Sequence, residues 1–214
     1  MMYIDQSAQM MQQLDRDVYL CGDVESSNVA EVCKQILQIQ KFDIDAFNKY
    51  KQYEILPINL YIQSFGGSIA DMWALIDIIE SSETPIFTYC TGYCMSAAAL
   101  IFLAGHFRYM YKHSSLMLHQ ISVGSFDKIN DMEIRQDFFE DQHHQTIKFI
   151  KKHTKLGKKF FKRFNNAKED VYLTAKECLK FGVCDKIIEK STIRKEIEAQ
   201  LANPTAEYEC ECCE

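Results

Sequence analysis

The sequence predicts an α/β fold, and three observations carry that prediction. Residues 57–63 (PINLYIQ) form a β-rich run that passes through Ser64-Phe65-Gly66-Gly67-Ser68 into a helical pattern. Residues 86–90 form a second such run, and after the turn that carries Ser96 comes a uniformly apolar helix, residues 97–104. Late in the chain Val171-Tyr172-Leu173, a short helix and residues 183–188 give strand, helix and strand again. Strands that alternate with helices at this spacing are the mark of βα units.

Each element has a local reason. Residues 1–16 are polar with scattered methionines and read as a short arm. Residues 17–21 (DVYLC) are strand-like and end at Gly22. From Ser26 or Ser27 a helix follows, with Val29, Val32, Cys33, Ile36 and Leu37 at helical spacing. Residues 40–56 are polar and mixed and read as a connecting segment. After the Gly-Gly turn, Ile69, Met72, Trp73, Leu75, Ile76 and Ile79 mark the buried side of a helix. The apolar run after Ser96 is too short to cross a bilayer, so it reads as a buried helix closed by Gly105. Residues 107–111 and 115–121 are short strands, with His119 near the end of the second. About residues 130–154 the pattern turns helical and charged, a helix long enough to project or to pack on a partner chain. Thr174 and Glu177 make a capping box for the next helix, which Gly182 closes. The single domain is set at 17–201, with an acidic tail at 202–214.

Composition narrows the function classes. A chain of 214 residues holds one domain with a real core. A net charge of −6 gives no global pull toward nucleic acid or anionic lipid. The N-terminus has no continuous apolar core, so no secretory signal or membrane span is expected and a cytoplasmic location is. The nine cysteines then read as reduced thiols. Cys210, Cys212 and Cys213 in the tail lack the partner motif of a metal site, and no metal is expected.

Ser96 stands where a turn meets the N-terminus of a buried helix. Serine is a preferred N-cap there. The same free N–H groups can also stabilise the oxyanion formed when a serine acts as nucleophile. A serine nucleophile needs a base, and the base needs an orienting carboxylate. His119 and Asp170 are the candidates, although a lone histidine at a strand end is commonly a hydrogen-bonded structural residue.

Four blocks in order resemble the proteolytic subunit of the Clp protease family. They are Gln63-Ser64-Phe65-Gly66-Gly67, Gly92-Tyr93-Cys94-Met95-Ser96-Ala97-Ala98-Ala99, Met117-Leu118-His119-Gln120-Ile121, and residues 169–178 around Asp170. The resemblance implies a ClpP/crotonase-like repeated ββα (spiral) fold with a projecting handle helix. It implies Ser96 as nucleophile, His119 as base and acid, and Asp170 as orienter, with the N–H groups of Gly67 and Ala97 as oxyanion hole. Substrate would lie extended beside Gly66, Val123, Gly124 and Ser125. The implied assembly is a homo-oligomer of heptameric rings, stacked as a tetradecamer, served by an AAA+ unfoldase that alone uses ATP; no cofactor is implied. Glu169 stands where the family has arginine at the ring junction, and Asn59 replaces an aromatic of the docking cleft that keeps Tyr61. Two other readings are an inactive ring subunit and a crotonase-type acyl-CoA enzyme on the same scaffold.

Overall fold

A computed structural model describes residues 15–51, 53–121, 129–166 and 169–189, with residues 129–136 described by backbone only. The order is β1 (Asp17–Cys21), α1 (Ser26–Lys49), β2 (Ile58–Ser64), α2 (Ile69–Glu80), β3 (Ile86–Met95), α3 (Ala97–Leu103), β4 (Phe107–Tyr111), β5 (Ser115–Leu118), α4 (Ile129–His153), α5 (Lys158–Phe164), β6 (Val171–Thr174), α6 (Ala175–Lys180) and β7 (Lys186–Ile188).

Strands β1, β2, β3, β4 and β7 lie side by side and parallel, in that order. The alternation of β-strand side chains sends Val18, Leu20, Leu60, Ile62, Ile86 and Met110 into the core. The opposite face is aromatic. Tyr19, Tyr61, Tyr89 and Tyr109 share one register across four strands and stack at 5.2, 4.7 and 4.8 Å between ring centroids.

The long strand β3 changes partners midway. Residues Phe87 to Cys90 pair with β4, and Tyr93 to Met95 pair with β5. Between these halves, Ile62 pairs with Cys90 and Ser64 with Cys94, so β3 carries extra residues against β2. This bulge lets β3 run through Gly92 to Met95, beyond the strand end expected at Cys90.

Two other expectations are corrected. The helix α1 continues to Lys49 through the segment read as a connection. Its inner face there carries Ala46 and the fully buried Asp43, whose carboxylate accepts from Arg16, from the Tyr53 hydroxyl and, at 2.8 Å, from Thr84. Gly105 does not close α3 in a left-handed conformation; the cap is the right-handed Ala104. Gly105 is instead required because a Cβ there would lie 2.3 Å from Thr88 Oγ1. The chain breaks after α4, and the short α5 that follows buries Phe160 and Phe164. The capping box forms as expected, Thr174 and Glu177 each bonding the other's backbone N–H.

The arm and tail expected at 1–16 and 202–214 lie largely or wholly outside the described residues, as does the segment from 190 to 201. No helix among the described residues is long and apolar enough to cross a membrane.

Candidate active site

The site forms where parallel strands end together, the usual place for ligands in such sheets. Met95, the last residue of β3, pairs with Met117, one residue before the end of β5, and Ser96 N–H donates to Met117 O at 2.9 Å. One residue past each strand end stand Ser96 and His119. The His119 Nε2 to Ser96 Oγ distance is 2.8 Å.

Ser96 does not cap α3, since its side chain makes no capping hydrogen bond. Its backbone is the only non-glycine among the described residues with positive φ, at φ 53° and ψ −121°. Such a conformation costs roughly 1–3 kcal/mol and persists only where the surroundings impose it. Here the β5 contact before it and the buried helix after it fix the turn.

The Gly-Gly loop closes over this turn. A Cβ on Gly66 would lie 2.7 Å from Met95 O and 2.8 Å from Ser96 Cβ. Gly67 has φ 152°, and a Cβ there would lie 2.3 Å from Val24 O. The loop is held through Val24, whose N–H donates to Gly66 O and whose carbonyl accepts from Ser68 N–H. Val24 and Gly67 form a parallel bridge, which leaves the Gly67 N–H on the side away from Val24. Ala97 is the first residue of α3, so its N–H has no partner within the helix. Gly67, Ser96, Ala97 and His119 all line one cavity.

Asp170 arrives by a different route. Strands β5 and β6 are antiparallel, with Leu118 opposite Val171. Continued by one residue, this register sets Asp170 opposite His119, neighbours by backbone at about 5 Å. Asp170 itself is exposed. The structure thus joins Ser96 to His119 and brings Asp170 alongside. Glu169 turns back on its own chain and accepts from Arg163 Nε at 3.0 Å.

Cys94, two residues before Ser96, is the neighbouring sulfur nucleophile. It is fully buried, burial pushes its thiol well up, and it donates to Ile62 O at 3.6 Å. A thiol held neutral is inert. No group of metal-ligating side chains occurs among the described residues. Val123, Gly124 and Ser125, expected to bind substrate, lie outside the described residues.

Sequence reasoning did not single out the cavity's far wall. It is built from Ile69, Met72, Leu100, Leu118, Ile121 and Thr146. Thr146 could have been noticed as a hydroxyl on the apolar stripe of its helix, one turn before the buried Ile150.

A histidine-bonded serine on a strained strand-to-helix turn, beside free backbone N–H groups, is the arrangement of serine-nucleophile hydrolases. The Clp protease family model matches residues 3–191, and the chain belongs to that family. It is 29% identical over 176 residues to an ATP-dependent Clp protease proteolytic subunit 4 of Rhodococcus jostii (strain RHA1), covering 81% of this chain and 84% of the relative. Its fold matches a ClpP1 mutant from Listeria monocytogenes with a TM-score of 0.69 at 20% identity, over 86% of this chain and 96% of the other. The fold is the ClpP fold, and the acyl-CoA enzyme alternative is not favoured.

Proposed function

We propose that the chain is a serine endopeptidase, the proteolytic subunit of a Clp-like ATP-dependent protease. The observation that carries this reading is the 2.8 Å contact between Ser96 Oγ and His119 Nε2. His119 takes the hydroxyl proton as Ser96 attacks the scissile carbonyl, and the oxyanion is held by the Gly67 and Ala97 N–H groups. His119 then gives the proton to the leaving amine. Water enters, loses a proton to His119 and hydrolyses the ester, and Ser96 leaves with that proton. Asp170 orients the imidazole and stabilises its cation. The reaction as written uses no cofactor.

Membership of the family, together with the long helix α4, supports assembly as rings of seven, stacked in pairs around a chamber. The aromatic sheet face supports docking of an AAA+ partner that supplies unfolded substrate. There Asn59, in place of an aromatic residue, accepts from the Tyr89 hydroxyl and donates to Asp17. The test is turnover of fluorogenic peptides and unfolded protein. Ser96→Ala should lower the rate by roughly 10⁴-fold or more, and undiminished turnover in that variant would end the reading.

A further inference from the structure

The cavity beside Ser96 has a volume of about 240 Å³. Away from the nucleophile its wall is almost wholly apolar, with Ile69 and Met72 from α2, Leu100 from α3, and Leu118 and Ile121 at the end of β5. The side-chain amide of Gln120 is turned away to Asn165 O, at 3.1 Å. Thr146 of α4 is different. It lines the cavity, it is 3% exposed, and its hydroxyl has no hydrogen-bond partner among the described residues.

A threonine inside a helix commonly gives its hydroxyl to the carbonyl one turn earlier. Thr146 does not. A buried hydroxyl without a partner destabilises the fold, whereas valine would fill the same volume without that cost. Helical threonine has two accessible χ1 wells, so the hydroxyl can turn to meet an occupant. Beyond His119, the described residues of the wall carry no charge, so a charged occupant would be buried without a counter-ion.

We propose that Thr146 is a specificity-determining residue of the peptidase. The cavity takes the side chain on the acyl side of the scissile bond. The Thr146 hydroxyl favours an uncharged side chain with an apolar body and a hydrogen-bonding tip. Tyrosine is then preferred to phenylalanine, and glutamine to leucine, relative to a pocket without the hydroxyl. This inference rests on the peptidase reading above.

The test uses peptides matched except at that position, Tyr against Phe and Gln against Leu, with the full-length chain and Thr146→Val and Thr146→Ser variants. The readout is the ratio of kcat/KM within each pair. One neutral hydrogen bond predicts that both ratios fall about 2- to 10-fold in Thr146→Val, and that serine restores them. Thermal melts run alongside, and Thr146→Val should melt no lower than the wild type. Ratios that are the same in Thr146→Val, or serine behaving as valine, overturn the inference and leave the peptidase reading intact. A valine variant that fails to fold also overturns it, because the hydroxyl would then have a structural partner. A wild-type chain that turns over none of the peptides overturns both.

Discussion

The backbone at Ser96 gives a test that does not depend on activity. Ser96→Ala and Ser96→Gly both remove the hydroxyl and its bond to His119, so comparing them isolates the backbone. Alanine retains a Cβ at φ 53°, ψ −121°, and glycine does not. Relief of that conformation is worth roughly 1–3 kcal/mol. Against it stands the greater freedom of glycine in the unfolded chain, about 0.5–1 kcal/mol. The balance makes Ser96→Gly more stable than Ser96→Ala by about 0.5–2 kcal/mol, where an ordinary position would give the opposite sign. Urea unfolding at fixed protein concentration reads this directly. With a slope of about 2 kcal/mol/M, the glycine variant's midpoint should lie about 0.3–1 M higher. An alanine variant as stable as the glycine variant, or more stable, would show that the turn is not strained and that its geometry is not imposed by the fold.

Other perturbations act on the loop beside Ser96 and on the network around Asp43. Gly67→Ala drives a Cβ to within 2.3 Å of Val24 O, so the loop must move. It should lose about 2 kcal/mol of stability, read by urea unfolding, and about 10²-fold in peptide turnover; a variant matching wild type in both assays contradicts the loop's role. Asp43→Ala strands the half-buried Arg16 and should cost about 3–5 kcal/mol in the same unfolding assay. Burial raises the Tyr53 phenol and its bond to Asp43 adds to this, to about 12, against about 10 when unfolded. Stability from Tyr53 is therefore complete below about pH 10 and lost as pH rises toward 12, so Tyr53→Phe should flatten that alkaline fall in melting temperature. Burial alone would raise the Asp43 carboxyl, but hydrogen bonds from Arg16, Tyr53 and Thr84 outweigh it and lower it. Its contribution is thus present above about pH 4 and lost only below; an Asp43-dependent loss of stability near neutral pH would contradict the network.

Much of the fold was legible because its elements follow simple periods. The alternation in INLYIQS and the helical stripe of Met72, Leu75, Ile76 and Ile79 state their own geometry. The parts that escaped share a cause: a distant partner reverses a local signal. Asp43 looks like a solvated residue in a polar segment, yet Arg16, 27 positions away, makes it a core residue of α1. Gly92 looks like the end of a strand, yet pairing with β5 carries β3 past it. Ser96 and His119 could be named from their blocks, but their meeting depends on the parallel pairing of β3 with β5, which ends the two strands within one residue of each other. No local pattern shows Ser96 at positive φ or Thr146 at a cavity wall, since both follow from packing between elements far apart in sequence.

The most direct measurement is covalent labelling with a fluorophosphonate, read by intact mass and by peptide mapping of the adduct. A Ser96 alcohol activated by His119 should gain a single phosphonyl group on Ser96, and His119→Ala should slow this by about 10³-fold or more. No adduct on Ser96, or labelling that proceeds equally well without the imidazole, would contradict the account.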